Sequence, residues 1–275
     1  GWHLSGQKVW STGAASADFG LLVARTDWDA PKHAGITAFV LPMRQKEIVV
    51  RPLRQMNGHS SFNEVFFDAA LIPADHVIGD PGGGWIVARA TLALERRLAA
   101  FPPVPTRTTG RAWREAIAEQ TAAAEPHKWY PQRAGRADLV IDQAQGMGRA
   151  GDPVVRQEIA RLIELAWSAR WMADRHARSA VGQQAVGSLG KLASSNIARQ
   201  AARVHAMIAG TAGMLAGPDS LLGGTIAEIG VSVPAISIAG GTDEIQRNII
   251  AERILGLPRE PDVSVGVPFR DVRAG

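Results

Sequence analysis

The sequence contains no cysteine, so disulfides and thiolate metal sites are excluded. That absence fits a reducing compartment, and a cytoplasmic protein is expected. No apolar run approaches the roughly 20 residues needed to cross a bilayer, and no signal-peptide pattern is present, so no membrane span is expected. Charge of one sign is scarce as well: 30 Lys and Arg stand against 26 Asp and Glu, a net of +4. The basic residues are scattered instead of gathered into a stripe, which argues against a nucleic-acid surface. The histidines His3, His33, His59, His76, His127, His176 and His205 fall at no metal-ligand spacing, so no metal is expected. Gly82-Gly83-Gly84 is followed by no lysine and reads as a domain hinge, not a phosphate loop.

What is present suffices for one large or two modest cores: 275 residues, 46% of them hydrophobic. Strand-like segments rich in Val, Phe and Thr occupy 7–12, 18–26, 35–42, 47–53 and 62–68, separated by Gly, Pro and Asp. Beyond the Asp80–Gly84 breaker the periodicity becomes helical. Val87, Ala90, Leu94 and Leu98 define a helix over 85–100, with Glu95 at the edge of its apolar face. Phe101-Pro102-Pro103 ends it. A short helix at 111–124, a polar loop to 136 and a helix at 137–147 follow. Long stripes through Val155, Ile159, Leu162 and Ala166, then Leu192, Ile197, Ala201 and Val204, give helices at 153–181 and 188–216. The pattern predicts an α+β chain: an antiparallel β-domain, a partial barrel or sandwich, over 1–80, then an all-α helical bundle over 81–260. The tail 261–275 lacks helical periodicity and reads as mobile or as an arm on a neighbour.

The segment Gly240-Gly241-Thr242-Asp243-Glu244-Ile245-Gln246-Arg247 opens a helix that stops at Gly256, before Pro258. Glycines at a helix entry let a ligand approach the backbone. The free N–H groups and the positive end of the helix dipole suit a phosphate, a carbonyl oxygen or a flavin edge. The same residues also read as an ordinary capped helix, with Thr242 accepting from first-turn amides.

Together with the opening Gly1-Trp2-His3-Leu4-Ser5-Gly6-Gln7-Lys8-Val9-Trp10-Ser11-Thr12 and with Gly84-Trp85 followed by Leu92-Ala93-Leu94-Glu95-Arg96, this segment resembles the acyl-CoA dehydrogenase family of flavoproteins. The resemblance covers 1–100 and 151–260. It implies FAD as cofactor, an acyl-CoA thioester as substrate, an electron-transfer flavoprotein as acceptor and a homo- or hetero-oligomer. It also implies that an N-terminal helical domain is missing, since the chain starts at Gly1 in what reads as the middle of a hairpin.

By this resemblance Trp10 packs on the flavin ring, Thr12 hydrogen-bonds near N5 and Ser11 contributes backbone. The position that holds the catalytic glutamate in most of the family is Gly240, which cannot take a proton. Another branch places the base on the first bundle helix, directly before an arginine, and Glu95-Arg96 matches that pair. Glu95 is therefore the candidate base and Arg96 a substrate-ordering residue. The amide of Gly240, with Gly241 beside it, matches the donor to the thioester oxygen, which requires backbone only. Thr242, Asp243 and Glu244 match cofactor-contacting positions. Arg149 and Gln157 match residues that bind the adenine dinucleotide of FAD in an adjoining subunit. Gly210 lies in a matching glycine-rich turn, altered at Met207 and Thr211, that also reads as close helix packing.

The implied reaction is FAD-dependent α,β-dehydrogenation of an acyl-CoA. A non-catalytic or truncated member of a heteromeric dehydrogenase is an alternative, favoured by the loss of glutamate at Gly240. A flavin oxidase or monooxygenase of the same fold is another.

Overall fold

The structure is a computed structural model. It describes residues 1–99, 110, 111, 114, 115, 118, 135–178, 183–217, 219–262 and 264–272, without the side chains of 95–99, 176–177 and 183–186. The helix and loop expected over 111–136 fall largely outside the described residues. The chain forms two compact units, one of residues 1–106 with 260–275 and one of residues 107–259.

The first unit contains strands β1 (Trp2–Lys8), β2 (Phe19–Arg25), β3 (Ile36–Pro42), β4 (Ile48–Leu53), β5 (Phe62–Ile72) and β6 (Val77–Ile78). They pair antiparallel in two three-stranded sheets, ordered β1-β5-β4 and β2-β3-β6. Neither sheet closes into a barrel. The core draws on both: Leu22, Phe39 and Leu41 from one sheet pack with Ile48, Val65, Phe67 and Ile72 from the other. Burial of each large side chain here contributes about 1.5–3 kcal/mol.

β5 explains why its sequence alternates only partly. Asn63, Val65 and Phe67 are buried, then the parity changes to Ala70 and Ile72. The register with β1 slips between Leu4 and Gly6, and Ala69 adopts a left-handed φ of 54°. An extra residue in β5 forms a bulge there, and the buried face moves by one position.

Helix α1 (Gly84–Ala99) packs on β3 and β2. Its first residue must be small: a Cβ on Gly84 would lie 2.6 Å from the Thr37 carbonyl carbon. Trp85 stacks on His33 with ring centroids 4.3 Å apart.

Two expectations for this unit change. The first strand, read at 7–12, runs instead over Trp2–Lys8, because Trp10 (φ 62°) and Gly13 (φ 68°) turn the chain. The tail, read as mobile or as an arm on a neighbour, folds back on its own unit. The amides of Phe269 and Arg270 donate to the Ala30 and Trp28 carbonyls, and the Arg25 guanidinium lies 3.6 Å over the Phe269 ring.

The second unit contains α2 (Ala137–Gly146), α3 (Pro153–Ala177), α4 (Gln183–Ala209), α5 (Thr225–Ser232) and α6 (Asp243–Arg253). Asp152 caps α3 by accepting from the Val154 and Val155 amides, and Pro153 occupies the first helical turn, where its missing N–H costs nothing. α4 is the central element and packs against α3, α5 and α6. Val140, Val155, Leu162, Val204 and Ile208 form one core, and Ala198, Ile229 and Val233 a second. α4 ends earlier than its stripe predicts, at Ala209, because Gly210 takes a φ of 58°.

Candidate active site

In the first unit the candidate residues lie on the turn after β1. Trp10 is a tryptophan in left-handed backbone with 62% of its surface exposed. A non-glycine residue in that conformation is strained by of order 1–3 kcal/mol and persists only where its surroundings impose it. The surroundings are visible: the Ser11 amide donates to the Asn63 carbonyl at 3.0 Å, and the Ser11 carbonyl accepts from the Asn63 backbone at 3.1 Å and side chain at 3.0 Å. Phe62 packs against the indole in a T-shaped contact, with ring centroids 5.6 Å apart. Ser11 is half-buried and Thr12 is exposed.

In the second unit the candidates lie on the turn before α6. Gly240 (φ 68°) and Gly241 (φ 90°) both adopt left-handed backbone. At Gly241 a Cβ would also meet the Gln246 Nε2 at 2.7 Å, whereas at Gly240 a Cβ would enter open space. The Gln246 side chain holds the turn by donating to the Gly240 carbonyl at 3.0 Å. Thr242 caps α6, accepting from the Ile245 amide at 3.2 Å. Among the described residues, neither the Gly240 nor the Gly241 N–H finds a backbone acceptor. The result is a pair of available donors at the positive end of a helix, with open space at the Gly240 Cβ position. Glu244 is exposed and pairs with Arg247 at 3.7 Å.

Asp243, grouped by sequence with the cofactor-facing residues, turns its side chain inward. It is 2% exposed. Its carboxylate accepts from the Lys191 ammonium at 2.6 Å and the Ser195 hydroxyl at 2.8 Å, with Arg199 at 3.2 Å. Burial works against the charged form, but the hydrogen bonds from Lys191 and Ser195 outweigh it, and the pKa lies below the ordinary carboxylate value. The physical reason is helical phase: the first residue of α6 faces α4. Lys191, Ser195 and Gln246 thus fix this turn, and sequence reading did not single them out. The available signal was weak: Lys191 and Ser195 lie one turn apart on α4, but their partner lies far along the chain.

The remaining candidates are more dispersed. Arg149 pairs with Asp152 at 2.7 Å, and Gln157 is exposed on the first turns of α3. Gly210 opens a short 3₁₀ turn, Gly210–Met214, in left-handed backbone with open space at its missing Cβ. Glu95 and Arg96 lie on α1, and their side chains fall outside the described residues.

Comparison with known proteins decides the family. Residues 1–70 match the acyl-CoA dehydrogenase middle domain, and residues 82–255 match the acyl-CoA dehydrogenase C-terminal domain. The chain belongs to the acyl-CoA dehydrogenase family. Among its relatives are acyl-CoA dehydrogenase IpdE1 of Mycolicibacterium smegmatis, 33% identical over 94% of this chain, and acyl-CoA dehydrogenase FadE34 of Mycobacterium tuberculosis, 36% identical over 94%. The chain spans 58% of the length of the first and 32% of the second. A solved structure titled Tcur3481-Tcur3483 steroid ACAD shares the fold, with a TM-score of 0.73 and 23% identity over 94% of this chain and 61% of its own.

The family implies a flavin, and the residues present fit one. Trp10 offers a flat apolar surface outside the core, and the turn before α6 offers unpaired backbone donors with no side chain at Gly240. Among the described residues, no helix is long and apolar enough to cross a membrane.

Proposed function

We propose that this chain serves FAD-dependent α,β-dehydrogenation of an acyl-CoA thioester. The observation that carries the reading is the glycine turn before α6, with left-handed Gly240 and Gly241, open N–H groups and a buried Asp243 anchor. Such a turn is suited to an oxygen that becomes negative during reaction.

In this reading the Gly240 N–H donates to the thioester carbonyl oxygen and stabilises the charge that forms when the neighbouring carbon loses its proton. Glu95 takes that proton, and Arg96 orders the carboxylate and the acyl group. Trp10 would pack on the flavin ring, Thr12 would hydrogen-bond near N5 and Ser11 would contribute backbone. Thr242 and Glu244 contact the cofactor, while Asp243 acts through the turn it anchors. Arg149, Gln157 and Gly210 hold the adenine dinucleotide of FAD across a subunit boundary in an oligomer. Bound FAD would supply the two-electron acceptor for the reaction. An electron-transfer flavoprotein would be the onward acceptor, in the cytoplasm.

A second reading, a non-catalytic member of a heteromeric dehydrogenase, is favoured by one observation. Gly240 occupies the position of the usual base and can hold no proton.

Glu95→Gln separates the two. The base assignment predicts loss of turnover by at least a hundredfold with the flavin retained. Unchanged turnover overturns Glu95 as base, and absence of turnover in the parent chain favours the second reading.

A further inference from the structure

Helix α6 buries two polar residues about one turn apart, Asp243 and Gln246. Glutamine is an uncommon choice for a buried helix position. Asp243 is accounted for by its partners on α4, Lys191 and Ser195. Gln246, 4% exposed, does something different. Its amide reaches back across the Thr242 cap and donates to the Gly240 carbonyl at 3.0 Å. A carbonyl only accepts, so this contact also fixes which way round the amide sits.

Peptide geometry shows what the bond controls. The Gly240 C=O and the Gly241 N–H belong to one planar peptide, which is trans. In a trans peptide those two bonds point in opposite directions. Holding the oxygen on the buried Gln246 amide therefore turns the Gly241 N–H to the other side, away from that amide. Among the described residues, the Gly241 N–H has no backbone acceptor. A glycine on each side leaves this peptide plane unusually free to rotate. Gln246 removes that freedom. A donor already in place stabilises a developing charge better than one that must first be ordered.

The two glycines relate to this bond differently. A Cβ on Gly241 would lie 2.7 Å from the Gln246 Nε2 and displace the amide, whereas one on Gly240 would meet nothing within 4 Å. Gly241 and Gln246 are thus a matched pair.

We propose that Gln246 is a positioning residue for the dehydrogenation. It aims the Gly241 N–H, as a second backbone donor after the Gly240 N–H, at a carbonyl oxygen of a bound ligand that gains negative charge in the reaction. The acyl thioester and the flavin ring both carry an oxygen of this chemistry, and the test separates them. The proposal rests on the dehydrogenase reading above and adds to it a donor and the residue that aims it.

The test compares the parent chain with Gln246→Met, which keeps the length of the side chain and loses the donor. Both are followed by NMR without ligand, with FAD, and with FAD plus an acyl-CoA mixture added anaerobically. Without ligand, the Gly240 carbonyl carbon is expected downfield in the parent relative to the variant. With ligand, solvent exchange of the Gly241 amide slows by about tenfold in the parent and stays fast in the variant, with flavin bound to both. Slowing with FAD alone assigns the flavin oxygen, and slowing only after the acyl-CoA assigns the thioester oxygen. In turnover, Gln246→Met lowers kcat by about tenfold with KM little changed. A residue that only supports the fold would leave kcat of the flavin-loaded variant intact. If the variant fails to fold, the parent still decides: its Gly241 amide must exchange freely before ligand and slowly after.

Fast exchange in every state of a chain that binds FAD and is bleached by acyl-CoA overturns this proposal alone. So does equal slowing in parent and variant, or an unchanged kcat. A chain that binds no FAD, or whose flavin the thioesters leave unchanged, overturns the dehydrogenase reading and this proposal with it.

Discussion

The helical unit buries two polar clusters and treats them in opposite ways. Around Asp243 a carboxylate, an ammonium, a guanidinium and a hydroxyl converge, and the charge is matched. Around His205 a neutral ring and a neutral amide satisfy each other on one side only, and Nε2 is left over. The difference follows from the cost of burial. An uncompensated charge costs several kcal/mol and a neutral acceptor far less: the Asp243 Oδ2, itself buried without a hydrogen bond, has the Arg199 charge at 3.2 Å, whereas His205 Nε2 has no compensating group. The charged cluster sets a backbone turn rigidly.

The strongest way to break this comparison is Asp243→Ala. It leaves Lys191 and Arg199 without their shared carboxylate and is expected to cost about 3–5 kcal/mol in urea unfolding. A loss under about 1 kcal/mol, the scale of an exposed pair, would place this cluster among surface ion pairs.

Acid separates the clusters by pH window. The His205 pKa falls from 6.5 to about 4 on folding, so between those values the unfolded chain holds a proton that the native ring refuses. Its contribution is complete above pH 6.5 and declines as pH falls toward 4, by roughly 3 kcal/mol in all. The Asp243 pKa is lowered from 3.8, so its contribution persists through that window and declines only as pH falls below the ordinary carboxylate range. Unfolding free energies of the parent and His205→Phe at pH 7 and 4.5 check this. Equal pH dependence in both would contradict it.

A smaller effect sharpens the picture at the turn itself. Thr242→Ala removes the α6 cap and is expected to cost about 1 kcal/mol in the same unfolding assay. Asp243 should stay buried, with its depressed pKa intact by carbon-13 NMR. Release of the carboxylate would make the cap, not the Lys191–Ser195 cradle, the anchor.

Much of the architecture was legible because hydrophobic period survives folding. Strands at β2 through β5 and the helices at α1, α2, α3 and α6 lie close to where alternation and helical stripes put them. What escaped was set by single backbone torsions. Trp10 reads as a strand residue by type, and only its left-handed φ ends β1 before it. Ala69 shifts the face of β5 for the same reason. α5 was missed because its short run, from Thr225 to Ser232, lies among glycines that signal loop. At the candidate site the glycines and the Thr242 cap were readable locally. Lys191 and Ser195 were not, because their partner Asp243 is brought close only by packing.

The proposed flavin-dependent dehydrogenation of an acyl-CoA can be read from the colour of the protein. The most direct test is the visible spectrum of the chain purified with FAD, recorded before and after anaerobic addition of an acyl-CoA mixture. The expected result is a yellow protein whose flavin band bleaches on addition of the thioesters. A colourless protein, or a flavin band that the thioesters leave unchanged, would contradict it.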